Sequence, residues 1–280
     1  MLNQIPPSSE ETETSLIILS DTPDLISTKI LALQEVKDYN FQRIDKIKHI
    51  HDTYFDTNDD KGSLQEHKIV LRIRKIEGNN EQTLVTLKEL SKQEEWGSSS
   101  RLEFEEPLSK SSLNTILDKI KEKIPTIALP RYDGNFDSAN EKVIMERIGL
   151  HAIQNRTTER NIMNIYSKKD SSLFAELDVD YTLYNLTDDE QIGYYNVEIE
   201  LKGPNKSIKD LEMLNKELIF MYQPDLKIWE YSKFTTGKAI KKLHERRILN
   251  GLVNHINTSV KNLKPAAFEK IDRLIRVEGI

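Results

Sequence analysis

Hydrophobic and polar positions alternate with a period of two along most of this chain, and a few stretches of helical spacing interrupt the alternation. The first alternating run covers residues 11–19, with Glu11, Glu13, Ser15 and Ile17 on one face and Thr12, Thr14, Leu16 and Ile18 on the other. Further runs fall at residues 49–56, 67–76, 82–90 and 100–106, and then at 151–166, 173–184 and 194–202. Polar turn sequences such as Asn58-Asp59-Asp60-Lys61-Gly62 and Glu77-Gly78-Asn79-Asn80 separate the earlier ones. Helical spacing follows the start signal Asp21-Thr22-Pro23-Asp24 to about Val36. It recurs over 111–123, ended by Pro125, in a short helix up to Gly149 after an irregular joint, and over 207–220. After Lys233 the pattern is helical to the C-terminus, interrupted by Gly251 and Pro265. The order predicts an α+β fold in two similar halves: a closed or nearly closed antiparallel β-barrel with helices packed outside.

The polar faces of these strands carry an unusual amount of charge. In Tyr195-Asn196-Val197-Glu198-Ile199-Glu200-Leu201-Lys202, Glu198, Glu200 and Lys202 share one face; in Val70-Leu71-Arg72-Ile73-Arg74, both arginines share one. The cations placed on such faces are Arg72, Arg74, Lys88, Arg101, Arg156 and Arg160, joined by Lys233; the acids are Glu11, Glu13, Glu103, Glu105, Asp178, Asp180, Glu198 and Glu200. Each strand alone is commonly a solvated ladder. Together, the reading is of an anionic and a cationic wall around one cavity, because buried charges persist only when partners or ligands match them. Guanidinium forks suit phosphate oxygens, and paired carboxylates supply hard ligands for Mg²⁺ or Mn²⁺. His49 and His51 lack a third ligand nearby and read as ordinary strand sequence. Lys241, Lys242, Glu245, Arg246 and Arg247 read as a solvated helix face.

Composition narrows the classes. Hydrophobic residues at 37% and charged residues at 31% suit a globular chain, and 280 residues can bury a large core. A net charge of −6 argues against broad nucleic-acid binding. The absence of cysteine excludes disulfides, Cys-ligated zinc and thiol catalysis. No apolar run approaches a membrane span, and the polar start carries no signal-peptide core. A cytoplasmic protein is therefore expected, with the sequons at Asn155, Asn185 and Asn205 accidental.

In order, the motifs Asp52-Thr53-Tyr54-Phe55-Asp56-Thr57, Leu71-Arg72-Ile73-Arg74, Thr86-Leu87-Lys88, Arg101-Leu102-Glu103-Phe104-Glu105, Ala175-Glu176-Leu177-Asp178-Val179-Asp180, Val197-Glu198-Ile199-Glu200-Leu201-Lys202 and Ser232-Lys233-Phe234 resemble the triphosphate tunnel metalloenzymes, the CYTH superfamily. The resemblance runs from about Glu11 to Lys238. It implies an eight-stranded antiparallel tunnel and hydrolysis of inorganic triphosphate, thiamine triphosphate or nucleoside triphosphates with Mg²⁺ or Mn²⁺; one branch of the family makes cyclic AMP from ATP. It further implies that Arg72, Arg74, Lys88, Arg101, Lys233 and either Arg156 or Arg160 bind phosphate. Glu198 and Glu200, with Glu11 or Glu13, would hold metal, and Glu198, Glu200, Asp180 and Lys233 would serve catalysis.

One departure stands out: the family opens with Glu-x-Glu-x-Lys, and here Ser15 occupies the lysine position of Glu11-Thr12-Glu13-Thr14-Ser15. The domain reading is a flexible tail over 1–10, a tunnel domain over 11–240 and a helical extension over 241–280. The expected partner is a small-molecule triphosphate, with neither nucleic acid nor membrane, and a homodimer is the candidate assembly. The leading function is a metal-dependent triphosphatase. Its rivals are an adenylate cyclase, a non-catalytic polyphosphate or nucleotide binder, and a structural barrel with charged ladders.

Overall fold

The computed structural model describes residues 9–57, 63–78, 81–93, 98–136, 140–202 and 207–280, with backbone alone for residues 9, 10, 63, 90–93 and 101. Residues 1–8 of the expected tail, and the sequon at Asn205, lie outside the described residues; Ser9 and Glu10 already belong to the first strand.

The chain runs β1 (Ser9–Ile18), α1 (Pro23–Leu31), β2 (Glu35–Val36), β3 (Tyr39–Thr57), α2 (Ser63–Glu66), β4 (Ile69–Ile76), β5 (Gln82–Gln93), β6 (Ser98–Pro107), α3 (Lys110–Lys123) and α4 (Glu141–Arg147). It continues through β7 (Leu150–Ser167), β8 (Leu173–Asn185), β9 (Gln191–Leu201), α5 (Ile208–Met221), β10 (Leu226–Ile228), α6 (Lys233–Glu245), β11 (Val253–His255), β12 (Val260–Leu263) and α7 (Pro265–Glu278). The strands hydrogen-bond in the order β10-β1-β6-β5-β4-β3-β7-β8-β9-β12-β11, with β2 on β3, and β1 also pairs with β9. The order is therefore cyclic over eight strands, from β1 through β6, β5, β4, β3, β7, β8 and β9 back to β1. The fold is α+β and built on antiparallel pairs, as the alternation predicts.

Two compact units share this chain. The first takes in Ile50–Lys92 and Ser100–Asn155 with the start of β1 as far as Glu11. Its core joins Leu71, Ile73, Val85, Leu87 and Phe104 of the strands to Leu113, Ile116, Leu117 and Ile120 of α3 and to Ile144 and Met145 of α4. The second unit comprises Thr12–His49, Gln93–Ser99 and Arg156–Ile280. One of its cores packs Leu16, Leu177, Val179, Val197 and Ile199 against Ile26 and Ile30 of α1 and Leu211, Leu214 and Leu218 of α5. Another gathers Trp229, Tyr194 and Tyr184 with α6 and α7. Each buried aliphatic side chain contributes roughly 1.5–3 kcal/mol. Leu177, Val179, Val197 and Ile199 thereby take up one face of β8 and β9, and Asp178, Asp180, Glu198 and Glu200 lie on the opposite one.

Local sequence explains most element ends. Pro23 opens α1, Ser109 and Ser112 form a capping box for α3, and the Ser207 and Ser232 side chains accept the N-cap bonds of α5 and α6. Three expectations are corrected. Helix α1 stops at Leu31 rather than near Val36, because Glu35 and Val36 turn back to pair with Asn40 and Tyr39. Strand β3 starts ten residues before His49, at Tyr39. The segment after Lys233 is not wholly helical: β11 and β12 form a hairpin whose second strand pairs parallel with β9.

Candidate functional site

On the second unit's sheet, register decides which charges meet. Arg160 of β7 is the Cα partner of Asp180 on β8; Asp178 partners Glu198 on β9; Glu200 partners both Glu176 on β8 and Glu13 on β1. Asp180 is wholly buried. Its carboxylate accepts Arg160 Nε at 2.9 Å and Nη2 at 2.7 Å, and Lys233 Nζ at 2.5 Å. Arg160 also reaches Asp178 at 2.5 Å and Glu198 at 3.0 Å, while Lys233 lies 2.6 Å from Glu198. Lys233 is the first residue of α6, where the helix end is itself positive, so these carboxylates offset an unfavourable local field. The Tyr184 hydroxyl donates to the Lys233 carbonyl at 2.7 Å and fixes that helix start over the sheet.

These contacts set the acidities. Burial pushes Asp180 and Glu198 upward, but Arg160 and Lys233 overcome it and hold both below the usual carboxylate range. Asp178 goes the other way: burial, aided by Asp180 and Glu198, raises it to about 7 despite Arg160. Its Oδ1 is buried with no hydrogen-bond partner among the described residues.

The first unit holds a second ionic cluster. Asp52 of β3 is the Cα partner of Arg74 on β4 and accepts its fork, Nε at 2.8 Å and Nη2 at 3.0 Å. Arg72 is buried among Asp52 at 3.6 Å, Glu103 at 3.7 Å and Glu105 at 3.2 Å, and it donates to Thr86 Oγ1 at 3.3 Å. Lys88 pairs with Glu11 at 3.3 Å and with Glu103. Burial, with a hydrogen bond to Glu11, raises the Glu103 carboxyl in spite of Lys88 and Arg72.

The CYTH domain model matches residues 25–223, most of the chain. The chain belongs to the CYTH domain family. Among solved structures, it is similar to the candidate adenylyl cyclase HpAC1 from Hippeastrum, described as having a dominant triphosphatase activity, at 17% identity and a TM-score of 0.51, covering 82% of this chain and 96% of that one. PH1819 from Pyrococcus horikoshii aligns at 17% identity over 84% and 99% of the two chains, with a TM-score of 0.45. The RNA triphosphatase domain of a mimivirus mRNA capping enzyme aligns at 11% identity over 78% and 90%, with a TM-score of 0.37. No curated protein matches the chain significantly in sequence. The CYTH match covers Arg72, Arg74, Lys88, Asp180, Glu198 and Glu200 but ends short of Lys233 and begins after Glu11 and Glu13.

Within this CYTH chain the residues singled out from sequence divide clearly. Arg72, Arg74, Lys88 and Glu11 meet in the first unit's cluster; Arg160, Lys233, Asp180 and Glu198 meet in the second unit's. Of the two candidate arginines of β7, Arg160 pairs with Asp178, Asp180 and Glu198; Arg156 is buried on the same strand face, and its charge helps to lower Glu198. Glu200 pairs with Lys202 at 2.6 Å, and Ser15 is the Cα partner of Glu198, whose cationic contacts come from Lys233 and Arg160. The Arg101 side chain lies outside the described ones. One expectation is overturned: acids and bases do not segregate, since each cluster mixes both signs. Asp52 and Thr86 received no role from sequence. Their signal is positional, as each stands opposite an arginine of β4.

The donors on the second unit's face suit a hard divalent cation. Glu13, Glu198 and Glu200 offer carboxylate oxygens on paired strands, and Asp178 Oδ1 is buried without a hydrogen bond. Among the described residues no three acidic or histidine side chains are already gathered as a metal site, and Glu198 is engaged by Lys233 and Arg160. Glu11, the other metal candidate of β1, contacts Lys88.

Asp178 gives a stability test in metal-free buffer. A carboxyl raised to about 7 when folded, against roughly 3.9 when unfolded, stabilises the fold fully at acid pH. That contribution is lost as pH climbs through 7. Asp178→Asn should therefore flatten the fall in melting temperature between about pH 4 and 7, and gain on wild type toward pH 8. Parallel wild-type and variant profiles would contradict the assignment.

Proposed function

We propose that this chain is a divalent-metal-dependent triphosphatase whose substrate is inorganic triphosphate or an organic triphosphate. The observation that carries the reading is the concentration of buried, mutually paired charge on otherwise core-forming strands. Burying so much charge costs several kcal/mol per ion unless it is matched, and it contributes little net stability over apolar packing. A retained ligand site accounts for it better than fold stability does.

Among the described side chains of the first unit's cluster, Glu11, Asp52, Glu103 and Glu105 outnumber Arg72, Arg74 and Lys88. A polyanion entering alone would meet these carboxylates as well as the cations. Glu198, Glu200 and Glu13 would hold the metal, which when bound neutralises phosphate oxygens and polarises the attacking water. Glu198 turned to that role would take one carboxylate off Lys233 and off Arg160 Nη2, both of which stay anchored on Asp180, and leave part of their donor capacity for phosphate. In the second unit, Arg160 and Lys233 would then stabilise charge as the leaving oxygen departs; in the first unit, Arg72, Arg74 and Lys88 would bind phosphate oxygens. The chemistry needs no covalent nucleophile, consistent with a chain without cysteine.

The test is a panel of inorganic triphosphate, ATP and thiamine triphosphate with Mg²⁺ and with Mn²⁺, read by product. Orthophosphate with the corresponding diphosphate is the expected outcome. Cyclic AMP with pyrophosphate from ATP would replace this reading with the cyclase, and tight binding without any product would replace it with the binder.

A further inference from the structure

The two clusters repeat one device. In each, a buried aspartate stands directly opposite an arginine on the neighbouring strand and accepts its guanidinium fork with both oxygens: Asp52 with Arg74 across β3 and β4, and Asp180 with Arg160 across β7 and β8. In each, the same carboxylate reaches a second buried cation, Arg72 at 3.6 Å in one and Lys233 at 2.5 Å in the other. The side chains of Asp52 and Asp180 are both 0% exposed, so neither offers an oxygen to solvent.

We propose that Asp52 is a positioning residue for phosphate recognition, fixing Arg72 and Arg74 as one rigid clamp; this rests on the triphosphatase reading above. A free arginine loses much rotamer entropy on gripping a phosphate, and a fork already held on its inner edge loses less. Asp52 takes the Nε edge of Arg74 and faces Nε of Arg72, while Nη2 of Arg72 is turned toward Thr86 and Glu105. With both oxygens on Arg74, Asp52 is not a metal ligand. Its effect is on affinity, transmitted through the two arginines, and not on the bond-breaking step.

Asp52→Asn separates this role from a merely structural one, because it keeps the shape and removes the charge. The KM for inorganic triphosphate should rise by about 10–100-fold, the scale of residues that orient a ligand-contacting group, while kcat stays within a few-fold. Arg74→Lys, which retains the charge and abolishes the fork, should likewise raise KM and carries the test if Asp52→Asn does not fold. A lowered melting temperature with KM unchanged in either folded variant would overturn the positioning role and leave the triphosphatase standing. Wild-type protein that neither binds nor hydrolyses triphosphate would overturn both.

Discussion

Glu200→Gln is expected to reduce metal-dependent phosphate release from triphosphate by on the order of 10²-fold or more, the scale of losing one charge-stabilising contact in a transition state. The substitution preserves shape and removes a single negative charge. Glu200 is partly exposed and paired with Lys202, and it is the Cα partner of both Glu13 and Glu176. Its loss therefore relieves like-charge crowding rather than stranding a buried cation, and folding stability should stay within about 0.5 kcal/mol of wild type. Kinetics and thermal unfolding on the same preparation separate the two effects. Undiminished turnover would remove Glu200 from the metal ligands, and with it the main assignment made to β9.

Asp180→Ala should show the opposite profile, with a large loss of stability. Asp180 holds Arg160 by two hydrogen bonds and Lys233 by a third, with no solvent to replace it. Removing one member of such a buried network leaves uncompensated charge and costs about 3–5 kcal/mol. Asp178 and Glu198 still face Arg160, and Glu198 still faces Lys233, so the chain should fold at low temperature. Denaturant unfolding at neutral pH measures the loss. A change below about 1 kcal/mol, the range of an exposed pair, would mean that the network is solvated and not an interior feature. Because Asp180 sits below the usual carboxylate range, its contribution belongs above that range and fades as pH falls through it.

The sequence announced the fold well where one strand face is apolar. The centres of β4, β8 and β9 alternate because Leu71, Ile73, Leu177, Val179, Val197 and Ile199 must all reach a core. Where burial is weak the pattern fails. Residues 42–47 of β3 are exposed on both faces, so Gln42-Arg43-Ile44-Asp45-Lys46-Ile47 carries no period to read. The β11–β12 hairpin has strands of only three and four residues, too short for a period to emerge between helical neighbours. The overlong α1 came from Leu33 and Val36, which keep helical spacing but pack after the chain has turned.

The candidate site was legible as a set of residues but not as a set of partnerships. Alternation alone places Arg160, Asp178, Asp180, Glu198 and Glu200 on polar faces. That Arg160 meets Asp180, or Arg74 meets Asp52, depends on inter-strand register, which no single strand encodes. For the same reason the expected division into one acidic and one basic wall did not survive, and Asp52 stood in a quoted motif without a role.

The most direct test of the account is a calorimetric titration of inorganic triphosphate into the wild-type protein, once with Mg²⁺ and once with EDTA. If the cations are released for phosphate only as carboxylates turn to a metal, binding should be clear with Mg²⁺ and at least about tenfold weaker without it, a difference of ~1.4 kcal/mol or more. Equal affinity in EDTA, or no binding in either buffer, would contradict the account.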